Sequence, residues 1–185
     1  MNLLLASSSP RRKMLLEGLG FVLKIVSPEI DEMPLAGEAP RDLVLRLSRQ
    51  KAQAVSAHPD LIVLAADTIV VCQNQILGKP LDRTEAKQFL SQLSGKNHQV
   101  LTGYTFLKGA RQLSRVVVTE VFFRILKERE IESYIATQEP YDKAGGYAIQ
   151  GAASAFIDII EGSFTNVIGL PMKEVLESLE QISHD

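Results

Sequence analysis

Cysteine, tryptophan and long apolar runs are scarce or missing from this 185-residue chain, and each shortage removes a class of protein. The single cysteine, Cys72, excludes an intrachain disulfide framework and any multi-cysteine zinc knuckle. The three histidines, His58, His98 and His184, lie far apart and show no HxxxH or HxH spacing. No stretch approaches the ~18 apolar residues that suggest a membrane span, so no membrane partner is expected. The opening Met1-Asn2-Leu3-Leu4-Leu5-Ala6 has no basic segment and is followed at once by arginines. That order is wrong for a secretory signal, and a cytoplasmic chain is the expectation. Neither sign of charge dominates, with 20 Lys and Arg against 22 Asp and Glu. A net charge of −2 is no footprint for a polyanion. With 6% aromatic residues there is no platform for stacking bases, so nucleic acid is not an expected partner. The absence of GxxxxGK[ST] excludes a P-loop.

What is present reads as a mixed α/β chain with helices flanking the sheet. Leu3 to Ala6 is a short buried strand, and Ser9-Pro10 starts a helix, with Ser9 as N-cap and Pro10 at the first helical position. Met14, Leu15 and Leu19 are its expected inward residues. Phe21 to Val26 is a strand, and Pro40 opens a helix with the stripe Leu43, Val44, Leu47, Ala54 and Val55. Leu61 to Cys72 is the most apolar strand, with Cys72 as plain core. Thr84 to Leu93 is a helix. Val100 to Leu107 and Arg115 to Arg124 form an antiparallel pair, because the link between them is too short for a crossover. Lys127 to Ala136 is a helix, and Asp142 to Tyr147 a Gly-rich loop. Ala155 to Ile160 is a late strand, and Pro171 opens a terminal helix with Val175, Leu176, Leu179 and Ile182 inward.

Several residues sit where simple physics disfavours them. Arg11, Arg12 and Lys13 put three cations in the first turn of a helix, where the dipole is positive. Together with Ser7, Ser8 and Ser9 they suggest a seat for one anion; the plainer reading is a solvated face. Asp67 interrupts the run from Leu61 to Val71, and an unpaired buried carboxylate costs several kcal/mol. It needs a cation, a metal or water, unless it caps a turn. Lys51 follows Leu43 and Leu47 at helical spacing, so it either snorkels to water or reaches a phosphate. Lys79 lies in the stiff Gly78-Lys79-Pro80 turn, and Asp31 and Glu32 follow a strand end. Basic residues for phosphates, two or more carboxylates for a hard cation and a loop for close backbone approach suit metal-assisted attack of water on a phosphoanhydride. Mg²⁺ or Mn²⁺ fits, since both take oxygen ligands and retain waters.

At these residues the sequence resembles the Maf family of nucleotide pyrophosphatases, by older name septum-formation inhibitors. The matching segments run in order through nearly the whole chain. They are Leu5-Ala6-Ser7-Ser8-Ser9-Pro10-Arg11-Arg12, Glu29-Ile30-Asp31-Glu32, Arg49-Gln50-Lys51-Ala52, Ala65-Ala66-Asp67-Thr68-Ile69-Val70, Gly78-Lys79-Pro80 and Ser94-Gly95. Asp142-Lys143-Ala144-Gly145-Gly146-Tyr147-Ala148-Ile149-Gln150-Gly151 and Gly169-Leu170-Pro171 complete the set. The resemblance implies a single domain over residues 1–185, a mixed sheet with flanking helices and two lobes sharing one cleft, like the inosine-triphosphate pyrophosphatases.

It also implies a hydrolase that cleaves a nucleoside triphosphate to the monophosphate and pyrophosphate with a divalent metal cation, often as a homodimer. Asp67 matches the family's proton acceptor, and Glu32, Lys51 and Lys79 match its other active-site polar residues. Glu32 and Asp67 are the expected metal or water ligands. Arg12, Lys51 and Lys79 are the expected phosphate clamps. Ser7, Ser9, Arg11, Asp142 and Lys143 are further substrate-binding candidates. The branch acting on dTTP and UTP has Arg, Thr and Gln where this chain has Arg11, Thr68 and Gln150. The 7-methyl-GTP branch tends to have an aromatic, a Gln and a Glu, and Glu suits a cationic base. This chain falls with the dTTP/UTP branch. The alternatives are 7-methyl-GTP specificity and a nucleotide-binding regulator of cell division that needs no turnover.

Overall fold

Leu3, Leu4 and Leu5 are buried on both faces, as expected of a strand inside a parallel sheet. They form β1 (Asn2–Ala6), which pairs in parallel with β2 (Val22–Val26) and with β3 (Ile62–Cys72). The computed structural model describes residues 2–56 and 61–184, so His58 lies outside the described residues. The other strands are β4 (Gln75–Leu77), β5 (Asn97–Lys108), β6 (Arg111–Phe123) and β7 (Ile157–Glu161). The sheet order is β2-β1-β3-β5-β6-β7, with β4 antiparallel on β3 and β7 antiparallel on β6. The helices are α1 (Pro10–Glu17), α2 (Pro40–Ala54), α3 (Arg83–Leu93), α4 (Glu128–Ile135), α5 (Phe164–Ile168) and α6 (Met172–His184). This is the mixed α/β class that the sequence pattern predicts. The five-residue α5 is absent from that reading, because it is too short to carry a helical period.

The chain divides into two compact units, each with its own core. Unit one comprises Met1–Thr68, Thr102–Val117 and Gly169–Asp185. Its core joins Leu3, Leu5 and Leu64 to Tyr104, Phe106 and the Val175, Leu179 and Ile182 stripe of α6. Gly103 lets α2 approach the sheet closely, since a Cβ there would lie 2.3 Å from the carbonyl oxygen of Val44. Two expected inward residues differ. Met14 and Leu19 are exposed, and α1 instead turns Arg12 and Leu16 inward, because the four-residue spacing of that pair sets the buried stripe. Ala54 is exposed and Ala52 buried on α2, in step with Lys51 and Ser48.

Unit two comprises Ile69–Leu101 and Val118–Ile168. Phe89, Leu90 and Leu93 of α3 and Ile131, Tyr134 and Ile135 of α4 pack with Cys72, Phe123, Tyr147 and Phe156. Cys72 is core as read, its thiol pushed up in pKa by burial. β7 begins at Ile157 rather than Ala155, since Ala152–Phe156 winds into a 3-10 helix. His98 is also in this interior. It hydrogen-bonds the Tyr147 hydroxyl at 2.7 Å and meets the Phe123 ring edge-on at 5.0 Å between centroids.

Burial holds His98 well below the usual imidazole range, from 6.5 down to about 4. The folded state therefore favours the neutral ring. Its contribution is complete above pH ~6.5 and is lost as the pH falls towards ~4, on the order of 3 kcal/mol. Denaturant midpoints measured from pH 7 to pH 4 should fall more steeply for wild type than for His98→Gln, which does not titrate. Parallel curves would contradict the buried neutral histidine.

Candidate functional site

Ser7 follows β1, Glu32 lies in the stretch after β2, and Asp67 sits in the middle of β3. Ala6 pairs with Val26 of β2 and with Ala65 of β3. Ser7, the segment carrying Glu32, and Ala66-Asp67-Thr68 therefore leave the paired strand segments in the same direction. Asp67 is buried, and its Oδ1 accepts a 2.6 Å hydrogen bond from Lys51 Nζ. The same ammonium lies 2.7 Å from Glu32 Oε1, so one lysine joins two carboxylates from separate segments.

Lys51 is 7% exposed, so it does not snorkel, and its ammonium pairs with both Glu32 and Asp67. The stripe that buries it is Leu43, Leu47 and Lys51 on α2. Asp31 turns the other way and accepts the backbone N–H of Met33, so Glu32 alone of the acidic pair joins the cluster.

The segment bearing Glu32 is tied to α2 by a contact that sequence reading missed. Arg46 Nε and Nη2 grip the two carboxylate oxygens of Glu38 at 2.6 and 2.8 Å, and Nη2 also donates to the carbonyl oxygen of Met33. The Arg46 hydrogen bonds hold the Glu38 carboxyl at about 2, far below the usual range. The signal was an eight-residue separation across a loop and a helix start, which carries no period.

The three-cation seat is not formed as the sequence suggested. Lys13 is exposed and pairs with Glu17 along the helix at 3.7 Å. Arg12 is buried and spends four hydrogen bonds on protein acceptors. Nε donates to Gly169 O at 2.9 Å, and Nη1 to Ala66 O at 2.8 Å and Ser7 Oγ at 3.2 Å. Nη2 donates to Thr68 Oγ1 at 2.9 Å. A guanidinium has five N–H groups, so one donor is left without an acceptor among the described residues. Burial lowers the Arg12 pKa, and the nearby Asp67 charge opposes that shift. Gly169, with φ of +128°, adopts a backbone region that side chains avoid and supplies one of these acceptors.

Ser9 caps α1, accepting from Arg12 N at 3.5 Å, and Ser7 Oγ also accepts from Ser9 N. Thr68 Oγ1 lies 2.9 Å from Thr102 Oγ1 and donates to Gly169 O at 3.3 Å, so its hydroxyl is held from several sides. Arg11 is half-buried, and its side chain makes no hydrogen bond or ion pair with another described residue.

Unit two carries the remaining candidates. Lys79 is exposed, and its side chain has no partner among the described residues. The neighbouring Gly78 accepts from Gly145 N at 2.9 Å, which joins the Lys79 turn to the Gly-rich loop. Lys143 is committed within that loop, to Asp142 and to the carbonyl oxygen of Glu139 at 2.7 Å. Gln150 is exposed, and its amide has no partner among the described residues.

Among the described residues no group of three or more His, Cys, Asp or Glu is placed to hold a metal ion. A zinc-type site is therefore not present there. Glu32 and Asp67 converge on one cation, Lys51 Nζ, and two oxygen donors suit Mg²⁺ or Mn²⁺, which complete their shells with water and substrate phosphates. The donor set fits such an ion. No helix is long and apolar enough to cross a membrane among the described residues.

Asp67 of β3 and Glu32 share the buried Lys51 ammonium, and Arg12 is buried in the same unit, a polar centre built into an α/β sheet. Residues 2–182 match the model of the family described as Maf-like protein, and the chain belongs to that family. It is 48% identical over 190 residues to the dTTP/UTP pyrophosphatase of Shewanella sp. strain MR-7, covering 98% of each chain. It is 47% identical over 180 residues to the dTTP/UTP pyrophosphatase of Geobacter metallireducens, covering 96% of this chain and 94% of that one. Among solved structures it is similar to a nucleoside-triphosphatase / dITP/XTP pyrophosphatase from Mycobacterium abscessus. That match has 16% identity and a TM-score of 0.49, over 98% of this chain and 96% of the other.

Removing one partner of a buried ion pair leaves an uncompensated charge, at a cost of about 3 kcal/mol. Lys51→Met should lower the unfolding free energy by about that much, and Lys51→Met combined with Asp67→Asn should recover most of it. Denaturant unfolding of the single and double variants checks this. A single variant as stable as wild type would contradict the buried pair.

Proposed function

We propose that this chain is a nucleoside triphosphate pyrophosphatase that hydrolyses dTTP and UTP to the monophosphate and pyrophosphate. The observation that carries the reading is the near full-length match to relatives named dTTP/UTP pyrophosphatase, at 48% and 47% identity. The Lys51-bridged carboxylates support the chemistry, and Arg11, Thr68 and Gln150 support the pyrimidine branch.

In this mechanism a water oxygen attacks the α-phosphorus, the bond from that phosphorus to the bridging oxygen breaks, and pyrophosphate leaves with that oxygen. Asp67 accepts the proton released by the water. Its contact with Lys51 uses Oδ1 and leaves Oδ2 for that proton. Lys51 fixes the carboxylate's orientation, and orientation is a large component of such catalysis. Glu32 and Asp67 would hold Mg²⁺ or Mn²⁺, which when bound neutralises charge on the phosphate oxygens.

Among the described residues the Arg11 and Lys79 side chains have no partner, and phosphate binding is assigned to them before Lys51 or Arg12. Arg12 holds Ser7, Thr68 and the Gly169 carbonyl in place, with one N–H left over. Gln150 presents a neutral amide that can both donate to and accept from a pyrimidine edge.

The test is pyrophosphate release from a panel of nucleoside triphosphates, with Mg²⁺ or Mn²⁺ and with chelator. Metal-dependent turnover of dTTP and UTP, with little from 7-methyl-GTP, is the expected result. Gln150→Glu should lower kcat/KM for UTP relative to 7-methyl-GTP by ~10-fold or more. Turnover confined to 7-methyl-GTP would contradict the substrate assignment, and tight nucleotide binding without turnover would contradict the chemistry.

A further inference from the structure

Glu139 stands at the start of the segment that carries Asp142, Lys143 and Gln150, and its carboxylate closes that segment on itself. Oε2 accepts the backbone N–H of Ala152 at 3.1 Å. Oε1 accepts the hydroxyl of Tyr134 at 3.0 Å. Ala152 lies two residues after Gln150. Glu139 thus holds the backbone just beyond Gln150, and Tyr134 in turn holds the Glu139 carboxylate.

Two further observations show that the fit is close. A Cβ on Gly151 would lie 2.2 Å from Glu139 Oε1, so the residue after Gln150 must be glycine for the carboxylate to sit there. Tyr134 itself is buried in the unit-two core against Phe156, with ring centroids 5.2 Å apart, so the hydroxyl is a rigid donor. Gln150, two residues before that anchor, has an exposed amide with no protein partner among the described residues. An unpartnered side chain has its direction set by its backbone.

We propose that Glu139, acting with Tyr134, is the positioning residue for Gln150 and so sets how tightly the uracil or thymine base is held. This rests on the reading of the chain as a dTTP/UTP pyrophosphatase. Glu139 touches no substrate in this account. It fixes the backbone from which Gln150 reaches the base, and loss of that fixity weakens base binding without touching the water, Asp67 or the phosphates. Binding lost equally from ground state and transition state raises KM and leaves kcat alone.

The experiment is steady-state pyrophosphate release from UTP with Mg²⁺, for Glu139→Ala and Tyr134→Phe, each in the wild-type and Gln150→Ala backgrounds. Loss of a hydrogen bond to a charged group should raise KM ~10-fold for Glu139→Ala, with kcat within about twofold. In the Gln150→Ala background the same substitution should change KM by less than about twofold, because its effect passes through Gln150. Glu139→Gln, which keeps one oxygen acceptor, should fall between wild type and Glu139→Ala. Should Glu139→Ala fail to fold, Tyr134→Phe carries the test, since it deletes only the hydroxyl. An unchanged KM, or the same rise in both backgrounds, would overturn the inference while leaving the proposed function standing. A wild-type enzyme that turns over neither UTP nor dTTP would overturn both.

Discussion

A carboxylate inside an apolar strand must be neutralised where it stands, and in this chain Lys51 does so for Asp67. The ammonium reaches Asp67 from the buried stripe of α2 and takes Glu32 as its second partner. Much of unit one follows from that arrangement. α2 must lie close on the sheet to bring Lys51 in, and Gly103 permits the approach by having no side chain. The segment between β2 and α2 must fold back to bring Glu32, and the Arg46 grip on Glu38 and the Met33 carbonyl holds it there. A buried pair of this kind gives modest net stability, because desolvation offsets most of the attraction. It fixes the Asp67 carboxylate through one oxygen, Oδ1.

Arg12 has a comparable role on the neighbouring strand end. Its guanidinium joins the Ser7 hydroxyl, the Ala66 carbonyl, Thr68 and Gly169, four points from three separate stretches of chain. The first turn of α1 thereby becomes a strut, and the Arg11 side chain is left without a partner among the described residues. Unit two relies on backbone anchoring instead. Glu139, held by Tyr134, fixes the stretch just beyond Gln150, and the Gly78 carbonyl fixes the loop at Gly145.

How much of this was legible in the sequence depends on the range of the signal. Ser9-Pro10, Pro40 and the Leu61 to Cys72 run are local patterns, and the structure has α1, α2 and β3 at those places. Asp67 was legible as a residue in need of a partner, because a carboxylate in so apolar a run is costly unless it caps a turn. The identity of the partner was not legible, since Lys51 looks the same as any snorkelling lysine until the helix is placed. Met14 and Leu19 were misread for a related reason. A short helix with a buried arginine has its inward face set by tertiary hydrogen bonds and not by its leucines. Glu139 gave no signal at all, because its role depends on Ala152 and Tyr134 folding towards it, and acidic residues before a Gly-rich loop are ordinarily solvated.

In the proposed mechanism the Lys51-held carboxylate of Asp67 takes the proton from the attacking water. The most direct measurement is the rate of pyrophosphate release from UTP by Asp67→Asn beside wild type, with Mg²⁺, together with the unfolding midpoints of both. A general base contributes on the order of 100-fold or more, so the account predicts a loss of at least that size in an amide variant that still folds. Near-normal turnover by folded Asp67→Asn would contradict it.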